Sequence, residues 1–104
     1  VYKVVEKYWG REDWIQVTDN YMLKILNIMQ GKTLLNHYHS IKEETFYIMS
    51  GSGEAIINGE KRIITKGDYI HIPPKTRHQI TAFEDLQIIE ASTPYQEDST
   101  REAL

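Results

Sequence analysis

The feature that most constrains this chain is the even return of turn-forming residues between brief runs of β-branched and aromatic ones. Gly31-Lys32, Ser50-Gly51-Ser52-Gly53, Asn58-Gly59, Lys66-Gly67-Asp68 and Pro73-Pro74-Lys75 punctuate runs rich in Val, Ile, Tyr and Thr. Glycine, proline, asparagine and aspartate each stabilise a turn, while the runs between them suit strands. Between Ile56-Ile57 and Ile63-Ile64, the pair Asn58-Gly59 offers two residues tolerant of positive φ, as a type I′ hairpin demands. Strands are predicted over 23–29, 34–37, 45–49, 53–57, 62–64, 69–72, 78–81 and 86–90. Helical signal is scarce, so the expected fold is all-β, an antiparallel sandwich or barrel.

A chain of 104 residues fits one small domain. With 12 Lys+Arg against 15 Asp+Glu, the formal charge of -3 provides no net field toward phosphate backbones, and no nucleic-acid partner is expected. Cysteine is absent, which excludes disulfides, thiolate metal sites and cysteine nucleophiles together. The apolar stretches, such as Ile25-Leu26 and Ile88-Ile89, are too short to span a membrane, so a cytoplasmic location is expected. The chain opens on Val1, which suggests trimming or excision from a longer polypeptide.

Within the expected domain, residues 1–20 form an aromatic N-terminal segment, 21–92 the β-structure and 93–104 a tail. Trp9 and Trp14 stand before the first clear strand, placed to cover one end of a barrel or to meet a second subunit. Ser99 lies three residues before Glu102, the spacing of a capping box, and predicts a closing helical turn.

Three of the four histidines are His37, His39 and His78, with Glu43 and Glu44 just after the first pair. Alternate residues of a strand share a face, so His37 and His39 can grip one ion together. Imidazole and carboxylate without thiolate suit Fe(II), Mn(II), Zn(II), Ni(II) or Cu(II) rather than Mg(II) or Ca(II).

The spacing around these residues is specific. Gly31 is followed by five residues, His37-x-His39, four residues, Glu44, six residues and Gly51; later come Gly67, five residues, Pro73, four residues and His78. This resembles the two motifs of the cupin superfamily. The resemblance implies a double-stranded β-helix, a small jelly-roll barrel, with a metal held by His37, His39, Glu44 and His78. Lys75 and Ala82 replace the glycine and asparagine usual in the second motif. The family tolerates three or four residues before its glutamate, so Glu43 rivals Glu44, and the interval to Gly51 favours Glu44. Strand parity then gives Phe46 and Ile48 the face of Glu44, and Tyr47 and Met49 the other.

Over most of its length the chain also resembles the cupin domain of type II mannose-6-phosphate isomerases, which often ends mannose-1-phosphate guanylyltransferases. The matching residues are Tyr8-Trp9-Gly10, Tyr21, Lys24, Ile72-Pro73, Ile88-Ile89-Glu90, Glu97-Asp98 and Arg101. Asn36, Phe46 and His71 stand where that family usually has Gln, Trp and Tyr. The resemblance implies a sugar or sugar-phosphate isomerase or epimerase in which a divalent ion polarises a carbonyl and stabilises an enediolate.

An imidazole can serve as a general base, so His71 is the candidate proton shuttle, with an outward-facing strand position as its alternative. Phe46, Lys32, Arg62 and Arg77 are candidates to meet substrate, the cations through a phosphate, with Lys75 a further cation near the motifs. Two other readings remain open: a non-catalytic sugar-binding or sensing cupin, and an Fe(II)-dependent dioxygenase. So small a domain is also expected to pair as a homodimer.

Overall fold

The computed structural model describes residues 3–39, 41–94 and 99–101. Among them are strands β1 (Lys3–Lys7), β2 (Gly10–Val17), β3 (Met22–Ile28), β4 (Thr33–His39), β5 (Glu44–Ser50) and β6 (Ser52–Ile57). There follow β7 (Glu60–Thr65), β8 (Tyr69–Ile72), β9 (His78–Ala82), β10 (Leu86–Ser92) and β11 (Ser99–Arg101). Among the described residues no helix is long and apolar enough to cross a membrane.

The pivot is the hairpin between β6 and β7. Asn58 and Gly59 take φ values of 48° and 84°, and Ile57 pairs with Glu60 across a two-residue loop, as the sequence predicts. Outward from that hairpin the two arms of the chain pair in nested order: β6 with β7, β5 with β8, β4 with β9, and β3 with β10. Successive pairs alternate between two antiparallel sheets, of order β1-β2-β3-β10-β5-β8 and β11-β4-β9-β6-β7. Two arms wound together in this way are a double-stranded β-helix.

Alternation sorts the side chains. On β3, Met22, Lys24, Leu26 and Ile28 are buried, and on β5 so are Glu44, Phe46 and Ile48, while Tyr47 is exposed. Ile70 and Ile72, Ile80 and Ala82, and Leu86 and Ile88 complete the interior from β8, β9 and β10. At Gly51, with φ of 89°, an added Cβ would lie 2.2 Å from the Asp85 carbonyl oxygen, so the close approach of β5 to the β10 entrance requires glycine.

Two expectations change. Residues 3–17 are strands that extend the six-stranded sheet, where the sequence suggested only an aromatic segment. Trp9, 1% exposed in the β1–β2 turn, closes the core beside Leu26 and Ile28. At the other terminus Ser99–Arg101 form a strand paired with β4 instead of a helical turn, because the edge of β4 offers ladder hydrogen bonds that an isolated turn lacks. Asp98 and Glu102, part of that expectation, lie outside the described residues, as do Glu97 and the other residues beyond Arg101.

Candidate metal centre

The nested pairing brings the chemical residues to one end of the barrel. Glu44 opens β5, His78 opens β9, and β4 runs toward that end through His37 and His39. β4 takes three steps where β9 takes two: Leu34 faces Ile80 in register, and after a bulge His37 faces His78. Backbone register thus sets the two motif histidines side by side.

His78 is fully buried, and its Nδ1 lies 3.2 Å from the Thr76 carbonyl oxygen. A carbonyl only accepts, so Nδ1 carries a proton, and in the neutral ring Nε2 keeps the lone pair. Nε2 in turn is 3.7 Å from Oε1 of Glu44, which is 2% exposed. That separation exceeds a hydrogen bond and approaches the ~3 to 3.5 Å between two donors that share an ion at about 2.1 Å from each. A histidine whose other nitrogen is given to a carbonyl is the usual state of a metal-ligating imidazole. Phe46 packs edge-on against the His78 ring, with centroids 5.8 Å apart at 81°, and walls the pair with apolar surface. Among the described residues no group of three His, Asp or Glu side chains is arranged to hold a metal.

A second set of charges lies beside the pair. Lys42 Nζ is 3.8 Å from Glu44 Oε2 and 3.0 Å from Glu90 Oε2, and Ser92 Oγ donates to the same Glu90 oxygen at 2.9 Å. Lys24 stands opposite Glu90 in register, 3.4 Å from Glu12 Oε1 and 4.5 Å from the centre of the Trp14 ring. Burial acts to lower the Lys42 pKa, but the Glu90 and Glu44 carboxylates outweigh it and raise it. For Lys24 burial wins over Glu90 and Glu12, and the pKa falls. Burial acts to raise the Glu90 pKa, but Lys42 and Lys24 hold it below the usual carboxylate range. Alternation could have found Lys24 and Glu90, charged residues on otherwise apolar faces, whereas Lys42 precedes β5 and carries no periodic signal.

The other sequence candidates disperse. Glu43 is half exposed and hydrogen-bonds the His71 ring at Nε2, 2.6 Å away. His71 lies on the outer face of β8 because Ile70 and Ile72 turn inward, so of its two placements it takes the outward one. Lys32 is exposed in the turn before β4, at the end of the barrel away from Glu44. Arg62 is exposed on β7 and donates to the Tyr69 carbonyl, tying one sheet to the other. Arg77 is exposed, next in sequence to the buried His78, and its loop is fixed by hydrogen bonds with Asn58. Lys75 is exposed with φ of 64°, a left-handed turn position where the family motif has glycine.

Known proteins agree with this architecture. A family model described as "Cupin domain" matches residues 24–91. An uncharacterized protein of Methanocaldococcus jannaschii is 50% identical over 50 residues, 48% of this chain and 39% of that protein. A mannose-1-phosphate guanylyltransferase of Salmonella montevideo is 26% identical over 77 residues, 74% of this chain but 16% of the enzyme. The chain thus spans well under half the length of these two relatives. The structure of KdgF from Halomonas sp. superposes with a TM-score of 0.79 at 26% identity, covering 85% of this chain and 81% of that one.

Proposed function

The chain belongs to the cupin family, and on that premise we propose that it binds a divalent transition metal and acts on a sugar or sugar phosphate by moving a proton beside a carbonyl. The observation that carries this reading is the orientation of His78, with Nδ1 committed to Thr76 and Nε2 turned to Glu44 Oε1. His37, His39, Glu44 and His78 would hold the ion, which when bound supplies Lewis acidity to a carbonyl oxygen. Zn, Mn, Fe and Ni all suit the donor set. The carbohydrate class is supported by similarity to a mannose-1-phosphate guanylyltransferase and to a pectin degradation protein of Dickeya dadantii.

In this reading Phe46 excludes water from one side of His78, and Arg77, the exposed neighbour of His78, would meet an anionic group of the substrate. The His71 ring is outside and engaged by Glu43, so in this reading it is not the group that moves the proton. The exposed Tyr47 and Tyr69 of the six-stranded sheet suit a homodimer contact, and light scattering that finds a monomer at micromolar concentration would remove that part.

The test has two stages. Elemental analysis of protein purified without chelator should find near-stoichiometric metal that a His37→Ala/His39→Ala variant loses. The loaded protein is then incubated in D₂O with a panel of aldoses and their phosphates, and deuterium entry beside the carbonyl is followed by NMR. Exchange with wild type and none with His78→Ala supports the isomerase. Saturable sugar binding without exchange replaces it by a sensor, and oxygen consumption with iron replaces it by a dioxygenase.

A further inference from the structure

Lys42 is 4% exposed, an unusual station for a lysine, and it lies between two buried carboxylates at unequal distances. We propose that Lys42 and Glu90 are positioning residues that hold the Glu44 carboxylate with Oε2 anchored and Oε1 presented to the ion. This rests on the metal-binding reading above.

The inequality of the two contacts is the core of the argument. Nζ is 3.0 Å from Glu90 and 3.8 Å from Glu44, so of these two carboxylates the ammonium holds Glu90 the more tightly. Glu90 is itself fixed: Ser92 Oγ donates to the same oxygen, and Lys24 faces it across the β3–β10 ladder. Ser92 stands directly opposite Glu44 in the β5–β10 register, so the clamp and the carboxylate it steadies share one inward face. Lys42 therefore restrains Oε2 from the side of Glu90, and Oε1 is left facing His78. Remove Lys42, and Glu44 loses its anchor while two carboxylates confront each other. Remove only the charge of Glu90, and the ammonium is released toward Glu44, where it competes with an ion. Outer partners of this kind orient metal ligands and typically matter 10- to 100-fold in affinity.

The experiment titrates the full chain with Co(II) alone, read by calorimetry and by the visible ligand-field bands, in wild type, Lys42→Met and Lys42→Met/Glu90→Gln. The double variant removes one positive and one negative charge, so the cluster keeps its net charge and Glu90 is not left as a carboxylate without Lys42, which keeps the test usable should the single variant fail to fold. Melting of the metal-free proteins identifies the folded samples. A folded variant that binds Co(II) roughly tenfold or more weakly, with altered bands, supports the clamp. Folded variants with wild-type affinity and bands overturn it and leave the metal site standing. A wild-type protein that takes up no Co(II) overturns both the clamp and the reading on which it rests.

Discussion

Glu43 and His71 are joined at 2.6 Å on the outer face of the six-stranded sheet, one residue away from a carboxylate that is buried beside His78. Neighbouring glutamates of like composition thus have opposite environments, set by the strand period of two. Glu44→Gln should weaken metal retention by about 10-fold or more, while Glu43→Gln and His71→Ala should leave it within a few-fold of wild type. Elemental analysis after dialysis reads the difference. Loss confined to Glu43→Gln would reverse the assignment.

The nested pairing makes the Asn58-Gly59 turn the point from which every later strand pair is counted. Gly59 sits at φ of 84°, where an alanine would be strained although nothing crowds its Cβ. Gly59→Ala should therefore cost about 1 kcal/mol, through the backbone alone. Urea unfolding that shows equal or greater stability would mean the loop relaxes into another turn type and that the I′ geometry is dispensable.

Much of this architecture was legible because alternation and turn chemistry are local. The strands between Leu23 and Glu90, the turn at Asn58 and the inward set Glu44, Phe46 and Ile48 follow from residues a few places apart. The failures were non-local. Lys3–Lys7 and Gly10–Val17 have no clean apolar alternation, since they lie toward a sheet edge with few buried positions, and only the ladders of β1 with β2 and of β2 with β3 make them strands. Parity for His71 depended on where β8 resumes after Gly67, which the ladder with Thr45 decides. The commitment of Lys42 to Glu90 joins residues far apart in sequence, and no spacing rule reaches it.

Trp9 tests whether the N-terminal strands belong to the core or merely rest on it. Its ring is buried with Leu26 and Ile28, and its carbonyl accepts from the Met29 amide at 2.9 Å. Trp9→Ala should cost about 3–5 kcal/mol, enough to unfold a marginal domain of this size at modest denaturant. A loss below about 1 kcal/mol would show that the turn peels away without disturbing the barrel, and hydrogen exchange of β2 amides would then report the detachment.

The buried charges predict an asymmetric response to acid. Burial acts to raise the Glu90 pKa, yet Lys42 and Lys24 together hold it below the ordinary value. Its folded pKa therefore lies under the unfolded one, near 4.3, and the unfolded chain takes up the proton first as pH falls. The stability that Glu90 contributes is present above about pH 4.3 and is lost as pH drops through the folded value. Lys42 shifts upward, so its contribution is present below about pH 10.4 and is lost as pH rises through its own folded value. Lys24 shifts downward, so it opposes Lys42 on the alkaline side and blunts that limb. The acid limb is the clean test. Urea midpoints measured from pH 7 to pH 3 on metal-free protein should fall more steeply for wild type than for Lys42→Met/Glu90→Gln. Parallel acid limbs would mean that Glu90 and Lys42 are no better paired in the folded chain than in the unfolded one.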